Sequence, residues 1–219
     1  MVKLYEYESV EKYREQQIEW AIPTRYGIWV EEEDIKFLAD YLQQDFDVSQ
    51  FKMGICHGSK LGIENAWFEK YLGIDVWGTD LGDRAHDPRY KEQSPYHDII
   101  DPHKNIQWDF HDVKDEWIDS VDVIYSNAMD HSRDPRFCLE QWMRCIKKTG
   151  ACILEWTPWH SEKHANIGNP FGASLEEYQE LAESCGFEVK DVLTKEFGPK
   201  HQFGKKGKKN FVIIVHSQG

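Results

Sequence analysis

The sequence has no run approaching ~18 consecutive apolar residues, so no membrane-spanning helix is expected. Its opening, MVKLYEYESVEKYREQQ, is too charged for a secretory leader, and the chain is expected to stay where it is made, in the cytoplasm. Positive charge is not in excess. Lys and Arg number 26 against 39 Asp and Glu, a net of −13, which argues against nucleic acid or an anionic membrane as a partner. None of the five cysteines forms a CxxC pair. Cys56, Cys138, Cys145, Cys152 and Cys185 fall in or beside apolar segments and read as buried free thiols of a reducing compartment. Internal repeats, low-complexity tracts and domain linkers are missing, and no complete GxGxxG follows an apolar run, which weighs against a dinucleotide oxidoreductase.

What is present suits one domain with a substantial core: 219 residues, 40 % apolar, 14 % aromatic, with nine Trp. A polar helix is predicted over 8–20, then an irregular connector from Trp20 to Trp29 holding Pro23 and Gly27. Ile35, Leu38, Ala39, Leu42 and Phe46 recur at helical spacing within 31–46, behind an acidic start that the helix dipole favours. Strands are then predicted at 51–56, 74–80, 104–109, 121–126, 151–156, 187–194 and 210–216. Helices are expected over 62–72, 135–147 (stopped by Gly150) and 174–185 (closed by Gly186), with a short acidic one before 121 and long loops at 83–103 and 157–172. Such alternation implies a parallel sheet covered on both faces, and the last two strands, with no helix between them, imply a hairpin and one antiparallel strand. Lys200, Lys205, Lys206, Lys208 and Lys209 read as the solvated loop of that hairpin, or as a clamp for an anionic group.

The most informative stretch is 52–82, KMGICHGSKLGIENAWFEKYLGIDVWGTDLG. An apolar strand ends in a turn with Gly58 and Gly62, a helix follows, and a second strand stops at Asp80. Turn glycines let backbone approach a ligand, and a carboxylate at the next strand end can accept from both hydroxyls of a ribose. Taken singly, the glycines could serve only a tight turn, Asp80 a surface turn, and Asp109 and Asp112 the cap of a helix near Val113.

Together with WDFHDV (108–113), DVIYSNAMDHSRDP (122–135) and IKKTGACILEW (146–156), this stretch resembles class I S-adenosylmethionine-dependent methyltransferases over about residues 50–216. The resemblance implies an α/β Rossmann-like three-layer sandwich, its seven-stranded, mostly parallel sheet ordered 3-2-1-4-5-7-6 with strand 7 antiparallel. Residues 1–48 would form a helical extension on that core. It also implies S-adenosyl-L-methionine as cofactor, with Gly58, Ser59, Lys60 and Gly62 under its methionine part and Asn127 nearby. Asp80 would bind the ribose, Leu81 would flank the adenine, and Asp109, beside the Phe110 backbone, would contact the adenine amino group. Cys56 and Lys60 depart from the family's usual acid and glycine.

Methyl transfer needs donor and acceptor held in line, and a hydroxyl acceptor also needs its proton taken. His131, in the loop after the strand at 121–126, is the expected base, with Asp130 acting directly or by orienting it; the alternative is a structural hydrogen bond by His131. His160, His164 and Trp159 could face the acceptor, while Trp156 reads as core. Asp130, His131 and Asp134 could together hold Mg or Ca, but Asp134-Pro135 also reads as a helix start, and no metal is expected. SNAMDH stands where an NPPY-like motif would mark methylation of a base or glutamine nitrogen. The expected acceptor is thus a carbohydrate or small-molecule hydroxyl, with a catalytically silent, protein-binding module of the same fold as the alternative.

Overall fold

The computed structural model describes residues 1–21, 29–88, 92, 94–197 and 207–217. Most of the Trp20–Trp29 connector, and Lys200, Lys205 and Lys206 of the lysine group, lie outside the described residues.

Nine strands and five helices organise the described chain. In order they are β1 (Lys3–Leu4), α1 (Val10–Ala21), α2 (Glu32–Asp45), β2 (Met53–His57), α3 (Ile63–Leu72), β3 (Asp75–Asp80), β4 (Asn105–Gln107), β5 (Val121–Ser126), α4 (Pro135–Cys145), β6 (Ile146–Trp156), β7 (Phe171–Gly172), α5 (Leu175–Ser184), β8 (Phe187–Phe197) and β9 (Gly207–His216). The main sheet runs β4-β3-β2-β5-β6-β9-β8, parallel except for β9, which is antiparallel to both neighbours. Counted along the chain within this sheet, that is the order 3-2-1-4-5-7-6 expected above. A two-residue pairing of β1 with β7, unforeseen in the sequence, ties the N-terminus to the loop after β6.

Central β5 (VDVIYS) is buried at every position, as a parallel strand covered on both faces must be. On one side Ile55, Ile124 and Leu154 pack against Leu139 and Trp142 of α4 and Tyr178 of α5. On the other, Val76, Val123 and Ile153 meet Leu38 and Leu42 of α2 and Trp67 and Phe68 of α3. Local chemistry starts the helices: Asp134 accepts from Phe137 N (3.0 Å) ahead of Pro135, and Ser174 and Glu177 form a reciprocal capping box. All five cysteines are free, and four are buried. Among the described residues no helix is long and apolar enough to cross a membrane.

Two expectations are corrected here. Gly150 does not stop α4. That helix ends at Cys145, and Ile146 pairs at once with Val121. From Ile146 to Ala151 β6 advances five residues while β5 advances two, so Lys-Lys-Thr-Gly forms a bulge. A Cβ on Gly150 would press into the backbone carbonyl of Asp122, well inside van der Waals contact. Gly150→Ala is therefore expected to cost about 1–3 kcal/mol, read as a lower denaturant midpoint; an unchanged midpoint would show that the bulge relaxes freely. The second correction concerns Lys209, which is not solvated: it is fully buried within β9.

Candidate functional site

The C-terminal ends of β2, β3, β5 and β6 open onto one cavity of about 490 Å³, within the size range of small-molecule sites. Its floor is the turn after β2. Gly58 N and Ser59 N donate to Thr79 O (2.8 and 3.0 Å), drawing the turn onto β3. Gly58 has φ +73°, and a Cβ there would strike Ala128, so only glycine fits. Lys60 also takes a left-handed conformation (φ 51°). Gly62 does not line the cavity; it caps α3 in the same conformation.

Asp80 stands at the end of β3, buried, on the cavity wall. Its Oδ2 accepts from Lys60 N (3.1 Å), and its Oδ1 accepts from Gly82 N (2.8 Å) and from Arg84 Nη2 (2.7 Å). A carboxylate offers about four acceptor positions, so one remains. Arg84 itself lines the cavity, and its buried Nη1 has no hydrogen-bond partner among the described residues. Burial lowers the Lys60 ammonium to about 8, with Arg84 adding to the effect, and raises the Glu64 carboxyl to about 7. Both line the same wall, and burial pushes each towards its neutral form.

The structure does not bring Asp109 into the cavity. Its carboxylate accepts from Arg14 Nε (2.8 Å) and His111 Nδ1 (2.7 Å), with Arg133 at 3.7 Å. Burial works to raise this carboxyl, but His111 and Arg14 outweigh it and hold the group far below the ordinary carboxylate range. Asp109 thus anchors α1, while its neighbour Phe110 lines the cavity beside Leu81 and Asn127. The short helix expected at Val113 is a single turn at Asp115–Trp117.

The anchored α1 presents Tyr13, Gln17 and Trp20 to the cavity. These residues were missed from sequence, although their spacing of four and three is that of one helix face. Tyr13 OH donates to His131 O (3.0 Å). His131 Nδ1 lies 2.9 Å from both Gln17 Oε1 and Gly168 O. The Gln17 amide nitrogen donates to the same Gly168 O (3.0 Å), which leaves its oxygen for His131. Both neighbours of Nδ1 only accept, so Nδ1 carries the hydrogen and a neutral ring has its lone pair on Nε2. Nε2 has no hydrogen-bond partner among the described residues; Asp130 Oδ1 stands 4.0 Å away. Asp130, Trp159, His160 and His164 line the same cavity, with Trp159 half exposed and its ring 4.6 Å from that of His164. Trp156 is held back by its indole N–H to Ala173 O (3.0 Å) and packs on the core.

Glu155, at the end of β6, closes the cavity against a buried charge cluster. It accepts from Tyr125 OH (2.7 Å) and pairs with Lys209 Nζ (3.2 Å), which also meets Asp34 (2.6 Å) and donates to Trp29 O (2.9 Å). Lys195 is the second cation on Asp34. Burial works to lower the Lys209 ammonium, but Glu155 and Asp34 outweigh it and hold it above its ordinary value.

No protein-family model and no curated protein sequence matches the chain. Solved structures do. One is a Burkholderia thailandensis 1,6-didemethyltoxoflavin-N1-methyltransferase with 1,6-didemethyltoxoflavin and S-adenosylhomocysteine bound (TM-score 0.68, 11 % identity, 97 % of this chain and 93 % of that one). Another is a TehB-like S-adenosylmethionine-dependent methyltransferase from Corynebacterium glutamicum (0.54, 17 %, 95 % and 100 %). A third is phosphoethanolamine N-methyltransferase 2 of Haemonchus contortus, also with S-adenosylhomocysteine (0.61, 14 %), where 92 % of this chain spans 60 % of that one. The chain has the Rossmann-like fold of these methyltransferases.

Proposed function

We propose, from this shared fold and the cavity at its strand ends, that the protein is an S-adenosylmethionine-dependent methyltransferase acting on a small molecule. Bound there, the cofactor supplies a methyl group on a sulfonium, activated for in-line transfer. The residues present fit it. Gly58 and Ser59 offer a glycine-made cradle, Asp80 keeps one acceptor position for a ribose hydroxyl, and Leu81 and Phe110 give apolar walls for a purine. Glu64 and Lys60 stand beside that cradle where the family's usual acid and glycine are absent. Small molecules occupy the Burkholderia thailandensis and Haemonchus contortus neighbours; for this chain we favour a hydroxyl acceptor on a carbohydrate or comparable metabolite. The free cysteines support a reducing compartment such as the cytoplasm.

One observation carries the catalytic reading: Gln17 and Gly168 hold the Nδ1 hydrogen of His131, leaving Nε2 as a base on the cavity. Such a base takes the acceptor's proton as the new bond forms, the same service whether the acceptor atom is oxygen or nitrogen.

Calorimetry with S-adenosylmethionine, S-adenosylhomocysteine and NAD tests the cofactor. Micromolar binding of the first two is expected; binding of NAD alone would reject the reading, and binding of none would favour a silent module. Asp80→Ala removes a charged acceptor and is expected to weaken S-adenosylmethionine binding roughly 10- to 100-fold, equivalent to about 1.5–3 kcal/mol. Equal affinity in that variant would dislodge the ribose from Asp80.

A further inference from the structure

We propose that the acceptor carries two neighbouring hydroxyls on a saccharide ring, one methylated and the other recognised by Asp130; this rests on the methyl-transfer reading above. Asp130 is only 4 % exposed. Its Oδ2 accepts from Asn169 Nδ2 (2.8 Å), while its Oδ1 is buried without a hydrogen-bond partner among the described residues. A buried carboxylate oxygen left unpaired is costly, and such exceptions in a cavity mark a place for a ligand's donor. A neutral His131, the form that acts as base, is not that donor: the Nε2 facing Oδ1 lies 4.0 Å away and is itself an acceptor in the tautomer that Gln17 and Gly168 impose.

With that ring neutral, two acceptors therefore stand 4.0 Å apart, and among the described residues no donor is hydrogen-bonded to either. A lone hydroxyl has one hydrogen, spent on Nε2 when it attacks, and Oδ1 would stay unsatisfied. Adjacent ring hydroxyls meet both. The attacking oxygen bonds the methyl carbon as the carbon–sulfur bond breaks, sulfur keeps the electron pair, and the proton passes to His131 Nε2. The second hydroxyl donates to Asp130 throughout and leaves unchanged. An amine could span both acceptors with one nitrogen, but a carboxylate so near favours the ammonium form, which has no lone pair to attack with. The cavity mouth agrees with a ring. Trp20 and Trp159, among the more exposed large hydrophobic side chains of the described residues, line the cavity and add apolar surface that suits the C–H side of a sugar.

The test uses S-adenosylmethionine with a labelled methyl group and, as acceptors, the methyl glycosides of glucose, galactose, mannose, fucose and rhamnose. Cyclohexanol serves as the isolated ring hydroxyl and cyclohexylamine as the amine. Label is expected on a glycoside oxygen next to a free hydroxyl, with a kcat/KM at least tenfold above that for cyclohexanol, about one hydrogen bond's worth. Asp130→Asn keeps an acceptor for Asn169 but can turn a donor towards the second hydroxyl; the glycoside-to-cyclohexanol ratio is expected to fall about tenfold. Calorimetric affinity for S-adenosylmethionine, which also reports folding of the variant, is expected to hold. Equal use of cyclohexanol, label on the amine alone, an unmoved ratio in Asp130→Asn, or no labelled glycoside from an enzyme that binds the cofactor would each overturn the diol and spare the methyltransferase reading. Failure of the wild-type protein to bind the cofactor would overturn that reading first, and the diol with it.

Discussion

Replacing His131 by alanine is expected to lower methyl transfer by roughly 10²–10⁴ while leaving S-adenosylmethionine affinity nearly unchanged. The size follows from the role. A positioned base acts only as the acceptor's proton leaves, so its loss falls on turnover and not on cofactor binding. The separation follows from geometry. His131 is held by Gln17, Gly168 O and Tyr13, whereas the cradle at Gly58 and the carboxylate at Asp80 are built from the β2 and β3 ends. Steady-state rates and calorimetry on the same preparation check both halves. Full activity would leave His131 a purely structural residue, holding α1 to the loop after β6. A parallel fall in cofactor affinity would mean that the variant disturbs the whole cavity.

Lys209→Met should destabilise the fold by about 3–5 kcal/mol, the usual consequence of removing one member of a buried ion network. Two carboxylates lose their shared cation. Asp34 keeps Lys195, and among the described residues Glu155 keeps the Tyr125 hydroxyl alone. Burial works to raise Asp34, but Lys209 and Lys195 outweigh it, and its carboxyl sits below the ordinary value. A carboxyl lowered by folding contributes stability above its unfolded pKa and loses it as pH falls through the folded one; an ammonium raised by folding contributes below its unfolded pKa and loses it at higher pH. The deficit of Lys209→Met should therefore be flat across neutral pH and shrink in acid. Urea denaturation of wild type and variant at several pH values measures it, and a deficit under 1 kcal/mol at pH 7 would refute the account. Restoring part of the loss with Glu155→Gln would assign the cost to Glu155 and not to packing.

The sheet was legible because its signals are local and repeated. Apolar runs of six or so, each followed by a helix or a turn, mark strands covered on both faces, and β2, β3 and β5 appear within a residue or two of their predicted places. Gly58 and Asp80 were legible for the same reason, lying at the ends of such runs. Errors arose where a local pattern has two meanings. Lys-Lys-Thr-Gly after an amphipathic helix resembles a helix end, but the buried Ile146 already belongs to the sheet. Lys209 sits in a lysine run and reads as solvated until Asp34, 175 residues away, is seen against it. Asp109 resembled an adenine ligand until Arg14, 95 residues away, claimed it. Partnerships of that range leave no trace in composition or periodicity. The helix face of Tyr13, Gln17 and Trp20 did leave a trace, but a polar helix ahead of the core gave no reason to aim it at the cavity.

The position of β9 also bears on how the molecule is made. It is inserted between β6 and β8, yet a ribosome delivers it after every other strand of the sheet. Until then the nascent polypeptide carries β6 as an open edge and Glu155 without its ammonium, so the cavity wall and the sheet are completed in one late event.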